Sequence, residues 1–194
     1  MTVTRWWWVR HAPTHKKTFV GASDVPADLS DTAQIARLNA ALPQTAVLVS
    51  SDLSRAAATA DVLAAGRTRL AHDARLREFD FGEWEGRHWS EVSESHPDLS
   101  RAFWENPGAI KAPGGESWDD VATRVAHAVA DISAQHQGHD IIAVAHFGVI
   151  LTQVQRARAI SPYQALAQSV DNLSITELVL NGGEWSCASV NWRP

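Results

Sequence analysis

"WWWVRHAPTH", Trp6 to His15, sets three indoles in a row ahead of a valine, an arginine, a histidine and then a proline. The run from 5 to 10 is too continuously apolar for a strand that is wet on one face. It reads as a short strand covered on both sides. Such a strand ends abruptly in two side chains able to carry positive charge, Arg10 and His11. What they do at the end of a buried strand is the question that the rest of the chain has to answer.

Working outward, "LSDTAQIARLNAAL" (29–42) predicts a helix, with Ser30 as its N-cap, Ala33, Ile35, Leu38 and Leu42 as its apolar positions, and Pro43 as its stop. "TAVLVSS" (45–51) is a second apolar strand, and the alanine-rich 52–66 a second helix closed by Gly66. A short strand near 68–73 follows. The stretch 76–116 is polar and tryptophan-rich, too long for a bare connection, and is expected to hold short helices and functional loops. Ser117 caps a long helix with Val121, Val125, Ala128, Val129 and Ile132 on one side. "DIIAVAH" (140–146) is a third buried strand, leading into the helical "FGVILTQVQRARA" (147–159). "LSITELVLN", "GGEW" and "SCASVNW" predict a terminal hairpin.

Strands alternating with helices predict a three-layer α/β/α fold. Its central sheet is mostly parallel, with helices on both faces and an antiparallel hairpin at the C-terminus. No repeat or linker divides the chain, so residues 1–194 are expected to form one domain, with 76–116 as its cap segment.

A net charge of −5 provides no footprint for duplex nucleic acid, so no nucleic-acid partner is expected. No apolar run could span a membrane and no signal peptide is evident; the single Cys187 forms no internal disulfide. A cytoplasmic protein with no membrane partner is the expectation. Nine histidines raise the question of metal, but none has the spacing or company of a ligand set, and no metal site is expected. The terminal hairpin offers a free edge through which two copies could pair as a homodimer.

In open α/β sheets ligands bind beyond the carboxyl ends of the strands. Those ends carry Arg10 and His11 after the first strand, Arg55 just inside the helix after the second, and His146 at the end of the third long strand. Arginine forks and helix N-termini suit phosphate oxygens. A histidine held in one tautomer can attack phosphorus and split one hard substitution into two easier ones. The leaving alkoxide then needs a proton, for which "LREFDFGEWEG" (76–86) offers Glu78, Asp80, Glu83 and Glu85. Periodicity does not choose among the four.

Five segments, in order over essentially the whole chain, resemble the histidine phosphatase superfamily, also called phosphoglycerate mutase-like. They are "VRHAPT", "SSDLSRAAATA", "LREFDFGEWEG", "APGGES" and "VAHFGVI". The resemblance implies that His11 becomes phosphorylated, and that Arg10, Arg55 and His146 bind the phosphoryl group. It makes Glu78 the proton donor and then the base for water, and it implies no metal and no organic cofactor. It also implies a small phosphorylated metabolite as substrate. Thr14, Lys17, Trp104 and Phe147 are candidates to touch that substrate.

Three positions depart from the family pattern: Ala12 replaces a glycine, Pro13 an acidic or amide residue, and Lys17 an asparagine. Two other activities compete with phosphomonoester hydrolysis: phosphoglycerate mutase, and a catalytically silent phosphate-binding regulatory module. Among compact members the motifs look like those of α-ribazole phosphatases. Trp84 is expected to pack, Asn172 and Ser174 to serve in a turn, and Cys187 to be inert.

Overall fold

Strand β1 (Val3–Arg10) alternates its indoles between two faces, as the two-residue side-chain period requires. Trp6 and Trp8 enter one apolar cluster, while Val9 enters another with Trp7 packed against it. The same alternation runs through the other central strands. In β2 (Val47–Ser50), Val47 and Val49 face the first cluster and Leu48 the second. In β4 (Asp140–Ala145), Ile141, Ala143 and Ala145 oppose Ile142 and Val144. Both faces of these strands are therefore covered, which explains their unbroken apolar runs.

The computed structural model describes residues 2–194. With β3 (Thr68–Arg69), β5 (Ile175–Asn181) and β6 (Glu184–Trp192), the strands form one sheet in the order β3-β2-β4-β1-β5-β6. The first four are mutually parallel; β5 and β6 run antiparallel as the terminal hairpin, with β6 at the outer edge.

Helices α5 (Trp118–Gln135) and α6 (Phe147–Arg158) supply the first cluster. Helices α1 (Thr32–Ala41) and α2 (Ser54–Val62) supply the second. Helices α3 (Trp89–Ser95) and α4 (Pro97–Glu105) hang Val92 and Phe103 onto the first cluster, where Trp84 is fully buried. Short α7 (Pro162–Leu166) follows α6. No helix among the described residues is long and apolar enough to cross a membrane.

Two local expectations are corrected. Asp31, not Ser30, caps α1: its carboxylate accepts from the Gln34 N–H at 2.9 Å, where negative charge also meets the positive end of the helix. Ser30 is engaged one turn earlier, donating its N–H to the Asp28 carboxylate. The buried face of α1 shifts with the start, so that Gln34 is buried and Ala33 exposed. The Gln34 amide reaches the carbonyl of Pro194, a contact with the chain end that helical periodicity cannot anticipate. The helix expected over 52–66 is confined to Ser54–Val62, and Gly66 lies beyond it in the left-handed region.

Candidate active site

Sheet register places the first pair of site residues. β4 lies between β2 and β1, with Arg10 opposite Ala145 and Ser50 opposite Val144. The next residue of β1, His11, donates its N–H to the Ala145 carbonyl at 3.0 Å, so His11 and His146 emerge side by side. Their ring centroids are 5.0 Å apart and the rings are tilted by 59°.

His11 is buried, and its Nδ1 lies 2.7 Å from the Ala12 carbonyl. A carbonyl only accepts, so Nδ1 carries the proton; a neutral ring then keeps its lone pair on Nε2. The ring is held neutral. Burial, reinforced by the charges of Arg55 and Arg10, pushes His11 down to about 3, against the opposing pull of the Ala12 carbonyl. Burial, with His11, Arg55, Arg124 and Arg10 nearby, likewise holds His146 well below the usual histidine range. Neither ring nitrogen of the fully buried His146 has a partner among the described residues, and neither has Arg10 Nε. A buried polar atom left unpaired costs about 1–3 kcal/mol. A phosphoryl oxygen has the chemistry to relieve that cost.

The two arginines are fixed by backbone carbonyls rather than by hydrogen-bonded carboxylates. Arg10 Nη1 donates to Val170 O at 2.7 Å, and its guanidinium lies 5.4 Å from the Phe147 ring centroid. Arg55 donates to Ser23 O at 2.8 Å and to Gly21 O at 2.6 Å. Burial disfavours the charge of both arginines, and Glu78 is the largest influence opposing it. An arriving dianion would find two desolvated forks already in position.

Tertiary packing distinguishes the four acids. Glu85 accepts from the N–H groups of Gly21, Ala22, Ser23 and Phe81 and from the Ser23 hydroxyl, so it builds the loop that holds Arg55. Asp80 accepts from the Gly82 N–H, and Glu83 is exposed. Glu78 alone of the four is buried; it accepts from the N–H groups of Phe79 and Gly148, each at 3.0 Å. Gly148 makes this approach possible at the start of α6. A Cβ there would stand 2.5 Å from the Phe79 ring and 2.7 Å from Glu78 Oε1.

Of the remaining candidates, Trp104 and Phe147 line a cleft that also touches Glu78, whereas Thr14 and Lys17 do not line it; Lys17 is exposed on its loop. The methyl of Ala12 is buried in the second apolar cluster, so the change from glycine points into the core. Asn172, expected merely to turn the chain, clamps His11: its Nδ2 donates to the His11 carbonyl at 2.7 Å.

Arg124 was not legible as a site residue. It donates to the carbonyls of Arg75, Arg77 and Glu78 and pairs with Glu116, fastening the segment that presents Glu78. A helix arginine facing an acid in "APGGES" is the only trace of it in the sequence. Among the described residues no group of three or more His, Cys, Asp or Glu side chains could hold a metal ion.

The buried neutral histidines have a consequence for stability. Both are held below their unfolded value near 6.5, so between about pH 6.5 and the folded value the unfolded chain binds protons that the fold refuses. Each then removes up to about 1.4 kcal/mol of stability per pH unit as pH falls through that window. The melting temperature is expected to drop between pH 6.5 and 4. Orthophosphate or vanadate should shallow the drop, because an anion favours the protonated rings. A melting temperature flat across this window, with or without anion, would contradict the assignment of neutral rings.

The model of the histidine phosphatase superfamily (branch 1) matches residues 6–193. Phosphoglycerate mutase-like protein 4 of Arabidopsis thaliana is 35% identical over 141 residues, 71% of this chain and 60% of that protein. The chain thus spans about three fifths of the length of that curated relative. The structure of a mycobacterial glucosyl-3-phosphoglycerate phosphatase superposes with a TM-score of 0.84 at 26% identity, covering 98% of this chain and 99% of the other. The α-ribazole phosphatase of Shigella flexneri superposes at 0.80 with 23% identity over 97% and 96% of the two chains, a likeness of fold. With its motifs in order and a family match from the first strand to the last, the chain belongs to branch 1 of the histidine phosphatase superfamily.

Proposed function

We infer that this protein hydrolyses phosphomonoesters of a small metabolite through a phosphohistidine on His11. The observation that carries this reading is the neutral, tautomer-fixed imidazole of His11, 5.0 Å from His146 and within the field of the buried Arg55 and the half-buried Arg10.

In the first step the lone pair of His11 Nε2 forms an N–P bond while the ester P–O bond breaks. Glu78 delivers its proton to the departing oxygen. Arg10, Arg55 and His146 bind the equatorial oxygens and stabilise the charge of the transition state. In the second step Glu78, now a carboxylate, takes a proton from water. The water oxygen bonds to phosphorus, the N–P bond breaks, and orthophosphate leaves with His11 neutral again. The backbone N–H groups of Phe79 and Gly148 hold the carboxyl in place for both steps.

Mutase activity would use the same phosphohistidine but return the phosphoryl group to a second hydroxyl. The two activities are told apart by product: orthophosphate from hydrolysis, a positional isomer from a mutase primed with bisphosphate. The test is an alkaline quench during turnover followed by peptide mass spectrometry. The expected result is one phosphoryl group on the peptide bearing His11, with orthophosphate as the accumulating product. Steady turnover with no phosphopeptide at any quench time would overturn the reading.

A further inference from the structure

The cleft beside Glu78 has a chemical character that the phosphoryl site does not dictate. It is a narrow crevice, open at its mouth, whose interior leaves about 30 Å³ free to water-sized groups. Its walls are six aromatic rings: Phe79, Phe81, Phe103, Trp104, Trp118 and Phe147. Several of them pack edge-on or tilted, as with Phe103 against Trp104 at 4.9 Å and 84°, and Phe79 against Trp118 at 5.9 Å and 48°. Ile110, Leu166 and Pro107 complete the lining. Among the described residues no lysine, arginine or histidine lines it, and its one ionisable side chain is Glu78. Lys111, next in sequence to Ile110, is drawn to Asp120 at 2.6 Å.

The position of this cleft identifies its occupant. A proton donor must stand at the leaving oxygen, so the organic group bonded to that oxygen lies in the space that Glu78 borders. We propose that the substrates are phosphate monoesters of uncharged, apolar alcohols, aryl or aryl-alkyl for preference, whose hydrocarbon part packs against the aromatic mouth of this crevice, Trp104 and Phe147. The proposal rests on the hydrolase reading above and adds to it the class of leaving group. Aromatic walls gain most from a ring offered to their faces and edges, and every methylene buried adds to binding. A leaving group that carries a carboxylate, such as glycerate or serine, would lose its hydration against rings and beside Glu78, while the cation against this lining, Arg10 over the Phe147 ring, is occupied by the phosphoryl group.

The experiment measures kcat/KM for orthophosphate release from the full chain, on a panel of esters. It comprises ethyl, propyl and butyl phosphate, 3-phenylpropyl phosphate, phosphoserine and 3-phosphoglycerate. The expected result is a rise of about fourfold per methylene along the alkyl series. The phenylpropyl ester should exceed both carboxylate-bearing esters by about a hundredfold or more. Trp104 is a half-exposed wall residue, so Trp104→Ala is expected to fold. It should lower kcat/KM for the phenylpropyl ester about tenfold and flatten the chain-length dependence of the alkyl series.

Equal or better turnover of phosphoserine or 3-phosphoglycerate would overturn the proposal and leave the hydrolase reading standing. So would a Trp104→Ala protein with the same chain-length dependence as the parent. No orthophosphate from any ester would overturn the hydrolase reading itself, and this inference with it.

Discussion

The His11→Asn protein is expected to turn over phosphate esters about four orders of magnitude more slowly than the parent, or worse, while remaining folded. Asparagine can still donate its amide to the Ala12 carbonyl, which His11 Nδ1 now faces at 2.7 Å. It offers no basic nitrogen to phosphorus, so only direct attack by water remains. The backbone of residue 11 is held independently, by Ala145 on one side and by Asn172 on the other, and the substitution leaves those contacts in place. The arginine forks also remain, so vanadate should still bind, though more weakly. The checks are single-turnover release of orthophosphate, the melting temperature, and vanadate titration. A loss of only about tenfold, in a protein that folds and binds vanadate, would show that another group attacks phosphorus.

The second large effect belongs to Glu78→Gln, and its size should depend on the leaving group. Removing a positioned general acid costs about two to four orders of magnitude when the leaving oxygen needs a proton. Alkyl phosphates are expected to suffer that loss in full. p-Nitrophenyl phosphate releases a stable phenolate, so the first step should be nearly preserved. The second step has lost its base, and the phosphoenzyme should accumulate after a burst of nitrophenol. Uniform loss across both ester types, with no burst, would remove Glu78 from the proton-transfer role.

Arg124 holds the backbone of the same segment, so Arg124→Met should reproduce this pattern in weaker form. The expected loss is about tenfold on alkyl phosphates and much less on p-nitrophenyl phosphate. A purely structural role would lower both equally.

How legible these residues were follows from the range of the contacts that define them. Arg10, His11, Arg55 and His146 stand at strand ends or just beyond, and strands can be read from short runs of apolar residues. Sheet register then brings β1 and β4 together, so that the two histidines become neighbours although far apart in the chain. The capping of α1 by Asp31 shows the limit of such reading. Ser30 and Asp31 are equally good caps locally, and the choice turned on a contact between Ser30 and Asp28 and on where the chain end packs.

Alternating apolar patterns were enough for the order of elements, the two-sided burial of the tryptophan strand and the edge at which the cationic residues gather, because these depend on neighbours within a few positions. Folding in three dimensions was needed to single out Glu78 from three nearby acids, to recruit Asn172 and Arg124, and to line the cleft with aromatic rings. Each of those outcomes depends on which distant backbone N–H, carbonyl or ring comes within about 3 to 6 Å, the range over which hydrogen bonds and aromatic contacts act. Spacing along the chain does not encode that proximity.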